Sequence, residues 1–217
     1  MQKLTLIVLG IVLSFWVSYA QSFTETFDSN SLGWTECAYD SADGTSIIDN
    51  GAMYVKSKGV NKAATVVVNL MGVSGEIGRD TFFETHCYAP LDVKKPFEIV
   101  AHVTIDKLAK DKTCGLIFNY KDIGNFYGFT LTSELVNFQR FEDGNLVGGI
   151  TQGVMWDEKR KIDQEWKLVS DGDEITFYLD GMQVMRVKYM PLEYSGFGFY
   201  TFGKQQLRID DVTFTQL

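Results

Sequence analysis

Between Pro96 and Ile105 the chain alternates, with Val100 the one apolar residue at an even position. The odd positions, Phe97, Ile99, Ala101, Val103 and Ile105, are all apolar, whereas Glu98, His102 and Thr104 fall at even ones. A period of two places the odd residues on one face of a β-strand, which then needs a second apolar surface to hide against. Similar stretches recur downstream at short spacing. Residues 115–120, 126–132, 136–141 and 146–150 read as strands, divided by Lys121-Asp122-Ile123-Gly124-Asn125 and by Asp143-Gly144, a strong hairpin signal. Residues 166–169, 174–179, 183–187 and 196–201 continue the series, turning at Asp171-Gly172 and Asp180-Gly181. Upstream, the Asp49-Asn50-Gly51 turn leads into 52–57. Then come a dense apolar run at 64–70, a glycine-bearing loop at 72–78 and a strand opening at Thr81. Only 156–165 has room for a turn or two of helix. Roughly a dozen short strands with hairpin-length loops predict an all-β fold, a two-sheet antiparallel β-sandwich.

The two ends of the domain are expected to meet. Phe23-Thr24-Glu25-Thr26-Phe27-Asp28, followed by Gly33-Trp34, reads as an opening strand and loop. The closing strand is Leu207-Arg208-Ile209-Asp210-Asp211-Val212-Thr213-Phe214. Ahead of the opening strand, residues 1–20 have the form of an export signal: basic Lys3, an apolar core at 4–16, and Ser18-Tyr19-Ala20 before Gln21. The apolar core is shorter than the about 20 residues that a membrane span requires. The expectation is a signal peptide at 1–20 and one domain at 21–217. Once cleaved, the protein is expected to be periplasmic or extracellular, without membrane insertion. The residue immediately after the cleavage point is Gln21 and not a cysteine, so no lipid anchor is expected.

The chain carries 20 basic and 28 acidic residues, a net charge of -8. Lys3 is the one charge in the signal, so the mature part holds 19 against 28, or -9. That balance disfavours nucleic acid as a partner and suits neutral sugars or calcium. Three cysteines leave at least one thiol unpaired. Cys114 precedes the apolar run 115–118 and reads as a small buried hydrophobe. Cys37 and Cys87 sit in more polar settings, where a bridge would contribute about 4 kcal/mol. Three free thiols is the alternative preferred here.

Taken in order, several short motifs carry a resemblance. They are Phe27-Asp28 with Gly33-Trp34, the Asp49-Asn50-Gly51 turn, Gly115-Leu116-Ile117-Phe118-Asn119-Tyr120-Lys121-Asp122 with Asn125-Phe126-Tyr127, and Trp166-Lys167-Leu168. Phe177-Tyr178-Leu179-Asp180-Gly181 and Ile209-Asp210-Asp211-Val212 complete the set. Together they resemble the concanavalin A-like lectin/glucanase superfamily, jelly-roll sandwiches that include laminin G-like domains. More loosely the chain is similar to 3-keto-disaccharide hydrolase domains of exported bacterial proteins. The resemblance implies a structural calcium on the convex side. Carried over by position, its ligands are the main-chain carbonyls of Thr26 and Gly51, with Asp210 in the last strand. It also implies a carbohydrate-related role, as enzyme or as binder.

The chemistry expected of the enzymes is missing. Retaining glucanases of this family place their paired carboxylates on one strand as Glu-x-Asp-x-(x)-Glu, and no glutamate here is followed two residues later by aspartate. Asp163-Gln164-Glu165 is the nearest imitation, in what reads as a loop before Trp166. By alternation His102 faces away from the core beside Glu98. Glu84 and His86 share a strand face, as metal ligands do, but lack a third partner. The expectation is therefore a non-catalytic carbohydrate-binding or adhesion-type module for a glycan or cell-surface polysaccharide. A 3-keto-disaccharide hydrolase-like enzyme and a protein-interaction subunit are the alternatives. Sugar binding needs aromatic faces and planar polar groups at exposed positions. The candidates are Tyr127, Arg140, Trp156 and Tyr194, in loops or at positions expected to face outward.

Overall fold

The computed structural model describes residues 21–37, 43–59, 82–154, 161–188 and 191–217. Among them are fourteen strands and no helix: β1 (Ser22–Glu25), β2 (Gly44–Asp49), β3 (Ala52–Ser57), β4 (Phe82–Tyr88), β5 (Phe97–Ile105), β6 (Thr113–Asp122), β7 (Asn125–Leu131), β8 (Leu135–Glu142), β9 (Asn145–Gly153), β10 (Ile162–Ser170), β11 (Glu174–Leu179), β12 (Met182–Lys188), β13 (Gly196–Phe202) and β14 (Gln206–Gln216). They make two antiparallel sheets. An eight-stranded sheet runs β12-β11-β10-β5-β14-β3-β2, with β1 also paired to β14, and a six-stranded sheet runs β4-β13-β6-β7-β8-β9.

The alternation read in 97–105 is the alternation of burial as far as Val103, beyond which Thr104 is buried as well. Phe97, Ile99, Ala101, Val103 and Ile105 are buried, while His102 is exposed and Glu98 half-buried. Their buried faces meet those of the six-stranded sheet in one core. Phe129 of β7 stacks on Phe177 of β11 at 5.0 Å, and Phe197 of β13 packs edge-on against Phe214 of β14 at 5.6 Å. Each fully buried ring of this kind contributes about 1.5–3 kcal/mol through the area it removes from water. Asn50-Gly51, Asp143-Gly144 and Asp180-Gly181 all have positive φ at both residues, the tight hairpin geometry whose twist matches paired strands.

The ends do meet. β14 pairs with β5 along its whole length on one side. On its other side its first half pairs with β3 (Ile209 with Met53) and its second half with β1 (Glu25 with Val212). The gap between those partners falls at Asp210-Asp211, and Asp210 is the extra residue where the register against β5 shifts.

Three expectations change. Residues 163–165 lie in β10, not in a loop, and the helical turn expected for 156–165 is strand from Ile162 onward. The alternation there is hidden because the inward position is filled by buried Gln164, whose Oε1 accepts a hydrogen bond from Trp166 Nε1 at 3.2 Å. Cys87 sits in the core rather than in a polar setting, and no disulfide joins any of the three cysteines. Burial pushes the Cys87 and Cys114 thiols well above their ordinary range. The apolar run at 64–70, the loop at 72–78, Thr81 and the signal segment 1–20 lie outside the described residues.

Candidate functional site

The outer face of the six-stranded sheet carries a second apolar cluster, separate from the core. Ile117, Tyr120, Phe126 and Tyr200 form it, with Phe82 and Phe141 packed against them. Alternation explains the arrangement. In β13, Phe197 and Phe199 point inward, so Tyr200 points out; in β7, Phe129 and Leu131 point inward, so Phe126 points out. The rings are ordered: Phe82 stacks on Tyr200 at 5.2 Å, and Phe126 on Phe141 at 4.8 Å. Outward positions between them are glycines. A Cβ at Gly198 would lie 2.1 Å from the Thr85 carbonyl, so only glycine permits this approach of β13 to β4.

Toward the β4 edge the face turns polar. Glu84 Oε1 accepts a hydrogen bond from the Tyr120 hydroxyl at 2.9 Å, and Glu84 Oε2 lies 2.9 Å from His86 Nδ1. The His86 ring stacks on Tyr120 at 4.3 Å. Burial, and then the Glu84 charge, push the Tyr120 phenol well above its ordinary range, so it stays a proton donor to that carboxylate. Glu84 and His86 thus share a face as expected. Among the described residues no group of three histidine, cysteine, aspartate or glutamate side chains converges as metal ligands would.

Two recesses border this cluster, and Phe126 and Phe141 line both. The first, of about 380 Å³, brings together three of the four residues singled out from the sequence: Tyr127, Arg140 and Tyr194. Trp156 lies outside the described residues. Tyr127 is not the outward residue expected. It is 8% exposed and joins the core, because β7 is apolar on both faces and Phe126 takes the outward position. Arg140 covers the Tyr127 ring with its guanidinium 5.9 Å from the centroid, and its Nε donates to Glu142 Oε1 at 2.8 Å. Tyr194 sits in a loop, as read from the sequence. Asn119, in a left-handed conformation, holds that loop by accepting the N–H of Glu193 at 2.8 Å and of Tyr194 at 2.9 Å. Lys121 Nζ lies 5.8 Å from the Tyr194 ring centroid.

The second recess, of about 340 Å³, is walled by Phe82, Tyr200 and Phe202 on one side and by Phe126 and Phe141 on the other. Asn137 and Gln139 of β8 also line it. The sequence reading had singled out none of these. The available signal was Phe126 beside Tyr127, and Phe141 at the end of 136–141, aromatics on the face opposite an inward face that was already apolar.

Thr26, Gly51 and Asp210 lie on the opposite side. Thr26 Oγ1 donates to Asp28 Oδ2 at 2.9 Å, and a Cβ at Gly51 would lie 3.7 Å from Asp28 Oδ1, so these residues adjoin. They border the gap opposite Asp210-Asp211. The Asp210 carboxylate, however, faces Arg208, whose Nη2 is 2.6 Å from Oδ1. It also lines a shallow recess over β5 and β10 with His102, Asp163, Glu165, Asp180 and Asp211. A calcium here would draw on the Thr26 and Gly51 carbonyls and on a carboxylate that already carries a cation.

No family model matches the sequence, and no curated protein matches it either. The fold, by contrast, has many solved relatives. The chain is similar to the carbohydrate-binding module CBM66 from Bacillus subtilis, at 20% identity over 82% of this chain and 94% of that one, with a TM-score of 0.53. It is similar to a Bacillus licheniformis β-glucanase at 11% identity, over 90% and 98%, with a TM-score of 0.58. The chain has the concanavalin A-like jelly-roll fold. The carbohydrate recognition domain of Emp47p shares this jelly roll at 8% identity, over 92% and 98% of the two chains, with a TM-score of 0.58. The neighbours of this jelly roll thus include carbohydrate-binding modules and lectin domains. At such identities the likeness carries the architecture, and the residues of the outer face have to be argued from their own geometry.

Proposed function

We propose that this chain is an exported, non-catalytic carbohydrate-binding or adhesion-type module whose glycan lies on the outer face of the six-stranded sheet. The observation that carries the reading is the pairing of aromatic walls with amide side chains at open recesses. A pyranose offers an apolar face to rings and hydroxyls to planar polar groups. The absence of Glu-x-Asp-x-(x)-Glu from the sequence supports a binding role over a glucanase one. So does the engagement of Glu84 by both Tyr120 and His86. Export is supported by the form of residues 1–20. Cleavage before Gln21 leaves β1 intact, with the Gln21 carbonyl still accepting from Gln216 N at 2.9 Å.

A glycan array with the mature chain tests the reading. Specific retention of at least one carbohydrate is expected, and the Tyr194→Ala variant should weaken it about tenfold without a change in melting temperature. An array with no signal above background rejects the proposal. Reducing-sugar release from any retained glycan would replace binding by hydrolysis as the function.

The calcium clasp at Thr26, Gly51 and Asp210 is a separate part of the proposal. Six to eight oxygens would be needed, most of them carbonyls and waters, and Arg208 would have to yield Asp210 to the ion. A melting temperature raised by calcium and restored by a chelator supports it. Superimposable melting curves rule it out.

A further inference from the structure

We infer that the two recesses are consecutive subsites of one groove, and that its ligand is an uncharged glycan of at least two residues lying across Phe126 and Phe141. This rests on the carbohydrate reading above and adds the class of ligand and its placement.

The first ground is continuity. Phe126 and Phe141 line both recesses, so the stacked pair is a shared wall and not the rim of one isolated pocket. With about 380 and 340 Å³, each recess sits at the small end of ligand sites, which run from about 300 to 1,000 Å³. Together they suit a chain better than a single large ligand.

The second ground is charge. The first recess holds Lys121 and Arg140 against Glu142 and Glu193, which cancel. Arg140 is already held by Glu142, and Lys121 rests over Tyr194. The second recess has no acidic or basic side chain among its described lining residues. Its one ionisable group, the Tyr200 phenol, is kept protonated because burial pushes it well above its ordinary range. A uronic acid or sulfated sugar would lose hydration in recesses that carry no net positive charge to offset the loss.

The third ground is hydrogen-bonding capacity. Asn137 is committed, donating to Thr130 Oγ1 at 3.3 Å and accepting from Thr151 Oγ1 at 2.8 Å. The neighbouring Gln139 amide lines the second recess with no side-chain hydrogen bond among the described residues. It offers two N–H donors and a carbonyl acceptor to sugar hydroxyls.

Titration calorimetry on the mature chain tests this. The probes are β-1,3- and β-1,4-linked gluco-oligosaccharides from glucose to the hexasaccharide, with manno-, xylo- and galacturono-oligosaccharides of matching lengths. Affinity should rise about tenfold or more between the monosaccharide and the trisaccharide of a neutral series and then level off. Tyr194→Ala and Gln139→Ala, one in each recess, should each remove about tenfold from trisaccharide affinity. The double variant should bind the trisaccharide no better than the monosaccharide. Unchanged melting temperatures would show that both variants fold. A neutral series that binds with no dependence on length overturns the two-subsite inference while leaving the carbohydrate reading standing. So does a Gln139→Ala variant with wild-type affinity. Preference for the galacturono-oligosaccharides overturns the uncharged class. Failure of every saccharide, here and on the array, removes the carbohydrate reading itself.

Discussion

His102 Nδ1 lies 2.8 Å from Asp211 Oδ1, and Glu165 Oε2 stands 3.9 Å from His102 Nε2 across the adjacent strand. The hydrogen bond to Asp211 holds the imidazole above its ordinary pKa. The charges of Asp211, Glu165 and Asp210 add to this, and partial burial opposes it. A group whose pKa is raised by folding stabilises the fold fully below its unfolded value, about 6.5. That contribution disappears as the pH climbs through the folded value. His102 is half exposed, so the effect is modest. Melting temperature should therefore fall gently as the pH rises above about 6.5, and Asp211→Asn should flatten that slope. An unaltered slope in the variant would show that the pair does not contribute. The outward placement of His102 was legible from the alternation of 97–105. Its partners were not, since they come from β10 and β14 and depend on the register shift at Asp210.

Among the elements, those with one apolar and one polar face were the legible ones. β5 and β14 follow their alternation closely, and the predicted meeting of the chain ends is the β1–β14 pairing. Legibility fails where a strand lacks that contrast. β2, Gly44-Thr45-Ser46-Ile47-Ile48-Asp49, is short, polar and at a sheet edge, and it escaped notice. β7 carries apolar residues on both faces, so period two identified a strand without saying which face was interior. That ambiguity misplaced Tyr127 and hid Phe126, and with it the shared wall of the two recesses. β1 shows how a short element can be secured from outside its ladder. Glu25 is buried, and its carboxylate accepts from Phe27 N at 3.2 Å, Leu32 N at 3.1 Å and the Ser31 hydroxyl at 2.7 Å. One side chain thereby ties the strand to the loop that follows. Glu25→Ala leaves these donors without their acceptor, at about 1–3 kcal/mol for each one that water cannot reach. A loss of about 2–3 kcal/mol is expected by urea denaturation, with faster amide exchange at residues 27 and 32. Stability within 0.5 kcal/mol of wild type, the range of an ordinary surface change, would show that the carboxylate is dispensable.

At the scale of the molecule, the outer face is only as well formed as the core beneath it. The strands that present Phe126 and Phe141 outward send Phe129 and Phe138 inward, and Phe129 stacks on Phe177 of the opposite sheet. Each sheet therefore shapes the other's inner surface, and neither has an apolar face that could be covered alone. The two sheets should unfold together. Phe177→Ala removes a fully buried ring, for which about 3–5 kcal/mol is expected through lost burial and the cavity left behind. For a domain of this length that lowers the melting temperature by about 10 °C. Calorimetry should still show one transition, and below it the variant should bind its glycan as the wild type does. Phe177 belongs to the opposite sheet and lines neither recess. Two resolved transitions would mean that the sheets are separable units. A single transition accompanied by lost binding at low temperature would mean that the groove depends on packing across the whole sandwich.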